Sequence, residues 1–382
     1  MVAGRNAPNR GQILLISSLI MAVVFVGLAV AVNSAIYAEN QATREVTRSS
    51  EPLADHPVTE ERLSRAFDDV NHDNDTATYG PRTRNLNDNV TGWDATMQGK
   101  ESAEGTLFGS RIVDTNNGTR ISQDTPRDFQ PHSDAYDGSD LDTDTLDPLA
   151  DTLDPAGLTD RNSWRMAFDV RSRGYEATVQ RSSLVEVDVD LGDLVSFLLD
   201  GNDPFGVVFN ETASDFRTVY LVNDSSGGTS EVAAVVTKSN GTSEEYVGHC
   251  SVEAATATIR LDDNELEGGG GTVVDCPALS VTNGLGRHDI HYVGSDNVLG
   301  TYDVIVDRRK SPFDADIEDR YTESFLDSVL GLCVLGCDTT VYEAPGSGQP
   351  YTTWAVWNST VELTYTDSRV HVTRNMTVPR EG

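Results

Sequence analysis

Between Gln12 and Ala38 the chain carries no charged residue, and the twenty residues from Ile13 to Val32 are interrupted in their apolar character only by Ser17, Ser18 and Gly27. A helix rising about 1.5 Å per residue over that run covers the roughly 30 Å hydrocarbon core of a bilayer. The run therefore predicts a transmembrane helix over 13–38, and whatever follows it must fold as a separate body. Arg5 and Arg10 precede it, whereas Glu39, Glu45 and Glu51 follow. The positive-inside rule then makes 1–12 a cytoplasmic n-region and leaves the body outside the cell membrane, on a single pass with membrane lipid as its first partner. A cleaved secretory signal would have a shorter apolar region and a small-x-small site after it. Asn33-Ser34-Ala35 is only a weak version of that site.

The segment Asn9-Arg10-Gly11-Gln12-Ile13-Leu14 is more specific. A basic residue, then Gly, then Gln, then an apolar helix resembles the class III signal of archaeal type IV pilins, which a prepilin peptidase cuts on the cytoplasmic side. The resemblance implies processing between Gly11 and Gln12, with the retained helix packed in a filament core or left as a membrane anchor. It also implies pilin-like or envelope proteins as partners. The position that is Glu in bacterial pilins is Ile16 here, a departure from bacterial-style assembly that archaeal members often share. With Asn33-Ser34-Ala35-Ile36-Tyr37 included, the segment looks like that of an uncharacterised group of haloarchaeal surface proteins, from which no activity carries over.

The formal net charge is −33, from 61 acids against 28 Lys and Arg. No basic cluster exceeds Arg308-Arg309-Lys310, so nucleic acid is excluded as a partner. Lys occurs only at Lys100, Lys238 and Lys310. Abundant acid with scarce Lys resembles proteins of salt-loving archaea, in which salt screens the self-repulsion. The first 38 residues hold no acid, so the acidity belongs to the exterior side.

Beyond the membrane, Glu39–Ser49 continues as helix to Pro52, and Thr59-Glu60-Glu61-Arg62 opens an amphipathic helix with Leu63, Ala66, Phe67 and Val70 at helical spacing. Together 39–70 read as a helical stalk. Residues 71–160 read as an acidic, largely irregular segment in which only Val90–Trp93 and Thr106–Val113 have strand character, with 124–160 mobile. Thr145-Leu146-Asp147-Pro148 repeats as Thr152-Leu153-Asp154-Pro155 inside that stretch. From 161 to 382 the pattern alternates. Trp164, Met166, Phe168 and Val170 share one face, as do Val185, Val187, Val189 and Leu191, and further runs follow at Thr218–Val222, Val232–Val236, Glu245–Val252, Ala255–Leu261, Thr272–Val274 and Tyr302–Val306. Leu191–Leu199 and Arg320–Leu332 read as helical insertions, and the chain ends in a hairpin around Thr366-Asp367-Ser368. The fold class expected is mainly β, an antiparallel sandwich-like extracellular body, with an N-terminal transmembrane helix and a helical stalk.

Four cysteines allow three pairings. Proximity favours Cys250–Cys276 and Cys333–Cys337 as disulfides in an oxidising exterior. Cys333 and Cys337 also stand at a metal-ligand spacing, but without the second ligand pair a zinc site needs. Asn-x-Ser/Thr sequons at Asn74, Asn89, Asn117, Asn210, Asn223, Asn240, Asn358 and Asn375 are glycosylation candidates. Asp69, Asn71, Asp73 and Asp75 alternate like a calcium loop, but Asn74 and Gly80 stand where that loop needs Gly and Glu. Asp140, Asp142 and Asp144 read as solvated acids. His288 and His291 are three apart, on opposite faces of a strand, so with His249 they make a poor zinc triad. Gly268–Gly271 is a hairpin loop without the Lys-Ser/Thr of a phosphate cradle. Asp314, Asp316, Glu318 and Asp319 form an acidic cluster before a helix. No catalytic residue, metal or cofactor is expected. The function implied is that of a non-enzymatic, membrane-anchored cell-surface protein, a pilin-like structural or adhesive envelope component of a halophilic archaeon. The alternative is a membrane-anchored extracellular binding module for a glycan, solute or divalent cation.

Overall fold

The structure, a computed structural model, describes residues 21, 23–30, 32–33, 57–72, 78–103, 105–131, 163–187, 204–212, 215–225, 230–239, 244–296, 298–328, 340–368 and 370–379. Residues 21, 23–30 and 32–33 are helical, with Met21 61 %, Phe25 63 % and Leu28 60 % exposed. Among the described residues no helix is long and apolar enough to cross a membrane. Most of the expected span, the first stalk helix, the Leu191–Leu199 insertion and Cys333–Cys337 lie outside the described residues.

Two compact units are distinguished, one taking in residues up to 59, 94–110 and 362–374, the other 60–93, 111–361 and 375–382. The larger begins in helix α1 (Pro57–His72), whose Leu63, Phe67 and Val70 recur at i, i+4 and i+7 and are no more than 3 % exposed. The expected amphipathic helix is therefore present. Its apolar stripe is buried. Helix α2 (Tyr79–Ser102) follows, where the sequence reads as irregular chain with a strand at Val90–Trp93. Its buried stripe is Arg82, Leu86 and Val90, too thin to register as helical periodicity, and Pro81 sits in the first turn, where its missing N–H costs nothing.

Strand β1 (Leu107–Asp128) is 22 residues long and runs far past the expected end at Val113. After it come β2 (Ser163–Val170), β3 (Ser172–Gln180), β4 (Glu186–Val187), β5 (Phe205–Thr212), β6 (Asp215–Asp224), β7 (Glu231–Ser239), β8 (Glu244–Glu253), β9 (Thr256–Arg260), β10 (Glu265–Gly268), β11 (Val273–Asp275), β12 (His288–Val293) and β13 (Leu299–Val306). Helix α3 (Lys310–Ser328) starts ten residues before the expected insertion, and β14 (Tyr351–Thr366) and β15 (His371–Val378) close the chain. The fold is mainly β, built from two sheets. One has the order β11-β10-β9-β3-β13-β1-β14-β15; the other has the order β2-β12-β5-β6-β7-β8, with β4 added parallel to β6.

The two sheets share one core. Tyr175, Ala177, Ile259, Tyr302 and Val304 from the first meet Trp164, Phe205, Phe209, Val219 and Tyr292 from the second in a single buried cluster. Fully burying one such side chain contributes about 1.5–3 kcal/mol. Aromatic rings fill its centre: Phe129 lies 4.5 Å from Phe205 and 5.2 Å from Tyr292 between ring centroids, and the Trp164 indole donates to the Phe129 carbonyl.

β1 reaches the middle of the first sheet because β13 accepts it antiparallel, Thr119 against Val306 through Gln123 against Tyr302. A bulge follows before Arg127, and the Gln123 amide occupies it, donating to the carbonyls of Gly300 at 2.8 Å and Arg127 at 3.1 Å. Gly118 lies so close to β13 that a Cβ there would stand 2.5 Å from the Val306 carbonyl oxygen. The free edge of β2 is capped by side chains: Tyr342 Oη donates to the Met166 carbonyl at 2.7 Å, and Arg308 to that of Phe168 at 3.3 Å. Such capping blocks pairing with another chain. In the smaller unit, Asp94 accepts from the Ser110 amide at 2.5 Å, and the β14–β15 turn closes through Asp367 N–H to the Val370 carbonyl at 2.9 Å.

Cys250 in β8 and Cys276 just after β11 are joined by a disulfide of sequence separation 26. β8 and β11 are edge strands of different sheets, so the bond clamps the two sheets together along one side. Closing a loop of that length removes unfolded-state entropy worth about 3.5 kcal/mol. Cys250→Ser is expected to lower the unfolding free energy by about 2–4 kcal/mol, as is reduction of the wild-type protein. Denaturant unfolding with and without reductant checks this, and a wild-type curve that reductant does not move would contradict it.

Candidate functional site

Alternation on the first sheet sends Ile121, Tyr302, Val304, Tyr175, Ala177 and Ile259 into the core. Their neighbours Arg120, Ser122, Asp124, Thr301, Asp303, Glu176, Thr178 and Arg260 therefore stand on the opposite face. These residues form the floor of a groove of about 680 Å³, walled by Ser64, Asp68 and His72 of α1 and by Asp262 and Asp263 of the turn after β9. A second cavity of about 230 Å³, lined in part by Trp357, Asn358, Asn283 and His288, adjoins it and shares Arg173, Asp262 and Pro379.

The wall is held by two buried polar side chains. β15 is half as long as β14, so among the described residues part of the β14 edge has no strand neighbour. Asn71, at 0 % exposure, takes that place: its Nδ2 donates to the Val356 carbonyl at 3.0 Å, and its Oδ1 accepts the Val356 N–H at 2.8 Å. Arg82 donates to the carbonyls of Val70 and, at 3.0 Å, of Asn71, satisfying the last turn of α1 where the helix dipole favours a cation. Asn71 is thus an edge cap and not part of a calcium loop. Tyr79 fixes the start of α2, its hydroxyl donating to the Gly118 carbonyl at 2.7 Å and its ring meeting Trp354 edge-on at 4.6 Å.

Each floor guanidinium faces carboxylate. Arg120 Nε donates to Asp303 at 2.6 Å, and although burial works against the Arg120 charge, Asp303 outweighs it and holds the pKa above the usual range. Arg260 lies 3.2 Å from Glu176 and also pairs with Glu267 and, at 3.8 Å, Glu265. Arg173 lies against the Trp357 ring at 5.4 Å and donates to the Val356 carbonyl at 2.8 Å. Burial pulls its pKa down to about 10, against the opposing charges of Asp68 and Asp262. Both of those carboxyls are pushed up by desolvation, with Arg173 opposing in each case and the Gly174 N–H, 2.7 Å from Asp262, opposing in the second.

The histidines do not converge. His288 is 3 % exposed and bonds Ser172 Oγ at 2.9 Å and the Gly286 carbonyl at 3.1 Å. His291 is 2 % exposed beside Arg165, and His249 is exposed and bonds Tyr246. Among the described residues no group of three or more His, Cys, Asp or Glu is placed to hold a metal ion. The Asp314–Asp319 cluster lies inside α3, not before it: Asp314 accepts from Lys310 at 2.6 Å and Thr352 at 2.8 Å, and Asp316 pairs with Arg308. Gly268–Gly271 is the β10–β11 turn, closed by Gly271 N–H to the Gly268 carbonyl at 2.8 Å.

Of the sequons, Asn89 on α2 and Asn375 on β15 are exposed, while Asn117, Asn210 and Asn223 are partly buried in β1, β5 and β6. Asn358 is 5 % exposed and its Oδ1 accepts from Asn116 Nδ2 at 2.7 Å, a burial that disfavours a glycan on the folded body. Asn74 and Asn240, like Gly11 and Gln12, lie outside the described residues. The groove residues Arg120, Arg173, Arg260, Asp262 and Asp303 carry no motif. The one available signal is the polar alternation Arg120-x-Ser122-x-Asp124.

A family profile described as a family of unknown function (DUF7261) matches residues 7–130 of the 382-residue chain. No curated protein and no solved structure matches significantly.

Burial holds His288 below the ordinary value of 6.5 and His291 well below it. The unfolded chain therefore binds more protons than the folded one below about pH 6.5, and stability is lost as pH falls through that value. Asp68 and Asp262, with raised values, act in the opposite sense in more acidic solution. The unfolding free energy should fall between about pH 7 and 5, and His291→Gln should flatten that slope by up to one proton; parallel pH profiles for the two proteins would contradict this. Peptide mass spectrometry of the native protein should find no glycan on Asn358, any occupancy falling at the open sequons; a glycosylated Asn358 peptide from folded protein would refute the burial argument.

Proposed function

We propose that this is a non-enzymatic, membrane-anchored cell-surface protein, a pilin-like structural or adhesive envelope component of a halophilic archaeon, with its β-body displayed outside the cell. The observation that carries the reading is the uncharged run from Gln12 to Ala38, with Arg5 and Arg10 before it and every acid of the chain after it. The described part of that run supports it. Val23, Phe25 and Val30 are 65 %, 63 % and 62 % exposed, and moving such side chains from water into lipid or a helical filament core is favourable by about 1.5–3 kcal/mol each. The matching family segment, 7–130, joins the apolar run to α1, α2 and β1, so anchor and first strand form one stretch of sequence kinship. A disulfide across the sheet edges suits an oxidising exterior. Net acidity on the displayed side suits a salt-rich one.

Full-length protein should stay with membranes through alkaline carbonate and high-salt washes, and deletion of 13–32 should release it. Release of the intact chain by carbonate would overturn the anchor. A mature N-terminus at Gln12 would support pilin-like processing, whereas an intact Met1 or Val2 terminus in the membrane fraction would remove processing from the account.

A further inference from the structure

The groove on the outer face of the first sheet is a candidate binding site, and it stands independently of the anchor. At about 680 Å³ it falls in the size range of small-ligand sites. Its lining holds three arginines, six carboxylates and the hydroxyls of Ser122, Thr178 and Thr301. We infer that it binds a neutral, hydroxyl-rich ligand, a short oligosaccharide laid along the strands β3, β13 and β1.

The charge arrangement selects the ligand class. Arg120 is fixed against Asp303, and Arg260 against Glu176 and Glu267, so the floor offers oriented donors and acceptors side by side while much of its field cancels. A hydroxyl group donates and accepts at once, and a guanidinium–carboxylate pair is complementary to it on both counts. Arg173 lines both cavities, its guanidinium donating to the Val356 carbonyl at 2.8 Å and lying against the Trp357 ring. An anion is disfavoured because carboxylates outnumber arginines in the lining. Any small charged ligand is also held poorly in molar salt, where the screening length falls to about 3 Å. Hydrogen bonding to a neutral ligand is not lost in that way.

The test uses the full chain in detergent micelles in about 2 M KCl, titrated calorimetrically with maltotetraose, with triacetylchitotriose and with spermidine. The variants are Asp263→Asn and Thr301→Val, each a change of one polar group at the groove surface, checked for an unaltered unfolding midpoint. At least one oligosaccharide should bind at one site per chain, its affinity should change less than about twofold between 0.5 and 3 M KCl, and at least one variant should weaken it about fivefold. Binding of spermidine alone, binding of neither oligosaccharide, or oligosaccharide binding that neither variant alters would each overturn the assignment. The carbonate extraction that tests the anchor reads a different part of the chain, so either reading can fail without the other.

Discussion

The pairing of β1 between β13 and β14 is the constraint on which the rest depends. Residues 119–123 lie against 302–306 on one side. On the other, the side chains of Asn116 and Thr115 bond those of Asn358 and Ser359 at 2.7 and 3.1 Å. β1, the first strand among the described residues, is thus completed by strands that arrive some 180 to 240 residues later. Each buried backbone bond in such a ladder contributes about 1 kcal/mol net and costs more than that if left unmade. Closing loops of this length costs little more than closing shorter ones, but it makes assembly slow. Among the described residues, the family-matched segment 7–130 therefore has no sheet of its own. It needs the later chain for both neighbours of β1, its one described strand, and a pull on the proposed anchor would be carried along the covalent chain through α1 and α2 into the middle of a sheet instead of an edge.

The groove follows from the same pairing. With β1 in place, Ser122 stands opposite Asp303 and Arg120 reaches that carboxylate diagonally on the face away from the core, and β3 on the far side of β13 sets Glu176 against Asp303 and Thr178 against Thr301. Asn71 and Arg82 then hold α1 over one rim. Both depend on β14 and on the α1–α2 turn, so the wall, the floor and the capped edge form one cooperative arrangement. The disulfide acts elsewhere, clamping the opposite edge of the first sheet to β8.

What was legible in the sequence follows the physics of each element. β6, β7, β8, β9 and β13 show as apolar or alternating runs between turn signals, and the runs at 218–222, 232–236 and 302–306 fall inside them. β12 was not legible because it is buried on both faces and carries two histidines, so its pattern reads as ligands and not as a strand. β1 was hidden by Asp114-Thr115-Asn116-Asn117-Gly118, a turn-like composition that central pairing overrides. In α2 two apolar residues and a buried arginine suffice, because Arg82 contributes hydrogen bonds where a leucine would contribute only area. The groove draws single residues from separate strands, a helix and a turn, and no local spacing links them. Asn71 belongs in sequence to an alternating acidic run that lacks the Gly and Glu of a calcium loop, and its role as an edge cap is visible only once the edge exists.

Hydrogen–deuterium exchange read at peptide resolution on the full chain tests the central pairing most directly. Amides of 119–123 and 302–306 should be among the slowest to exchange and should lose protection together as denaturant is added, as one cooperative unit. Exchange of 119–123 at the rate of an open strand while 302–306 stays protected would show that β1 is not held between β13 and β14, and the groove and the coupling of the N-terminal segment to the body would fall with it.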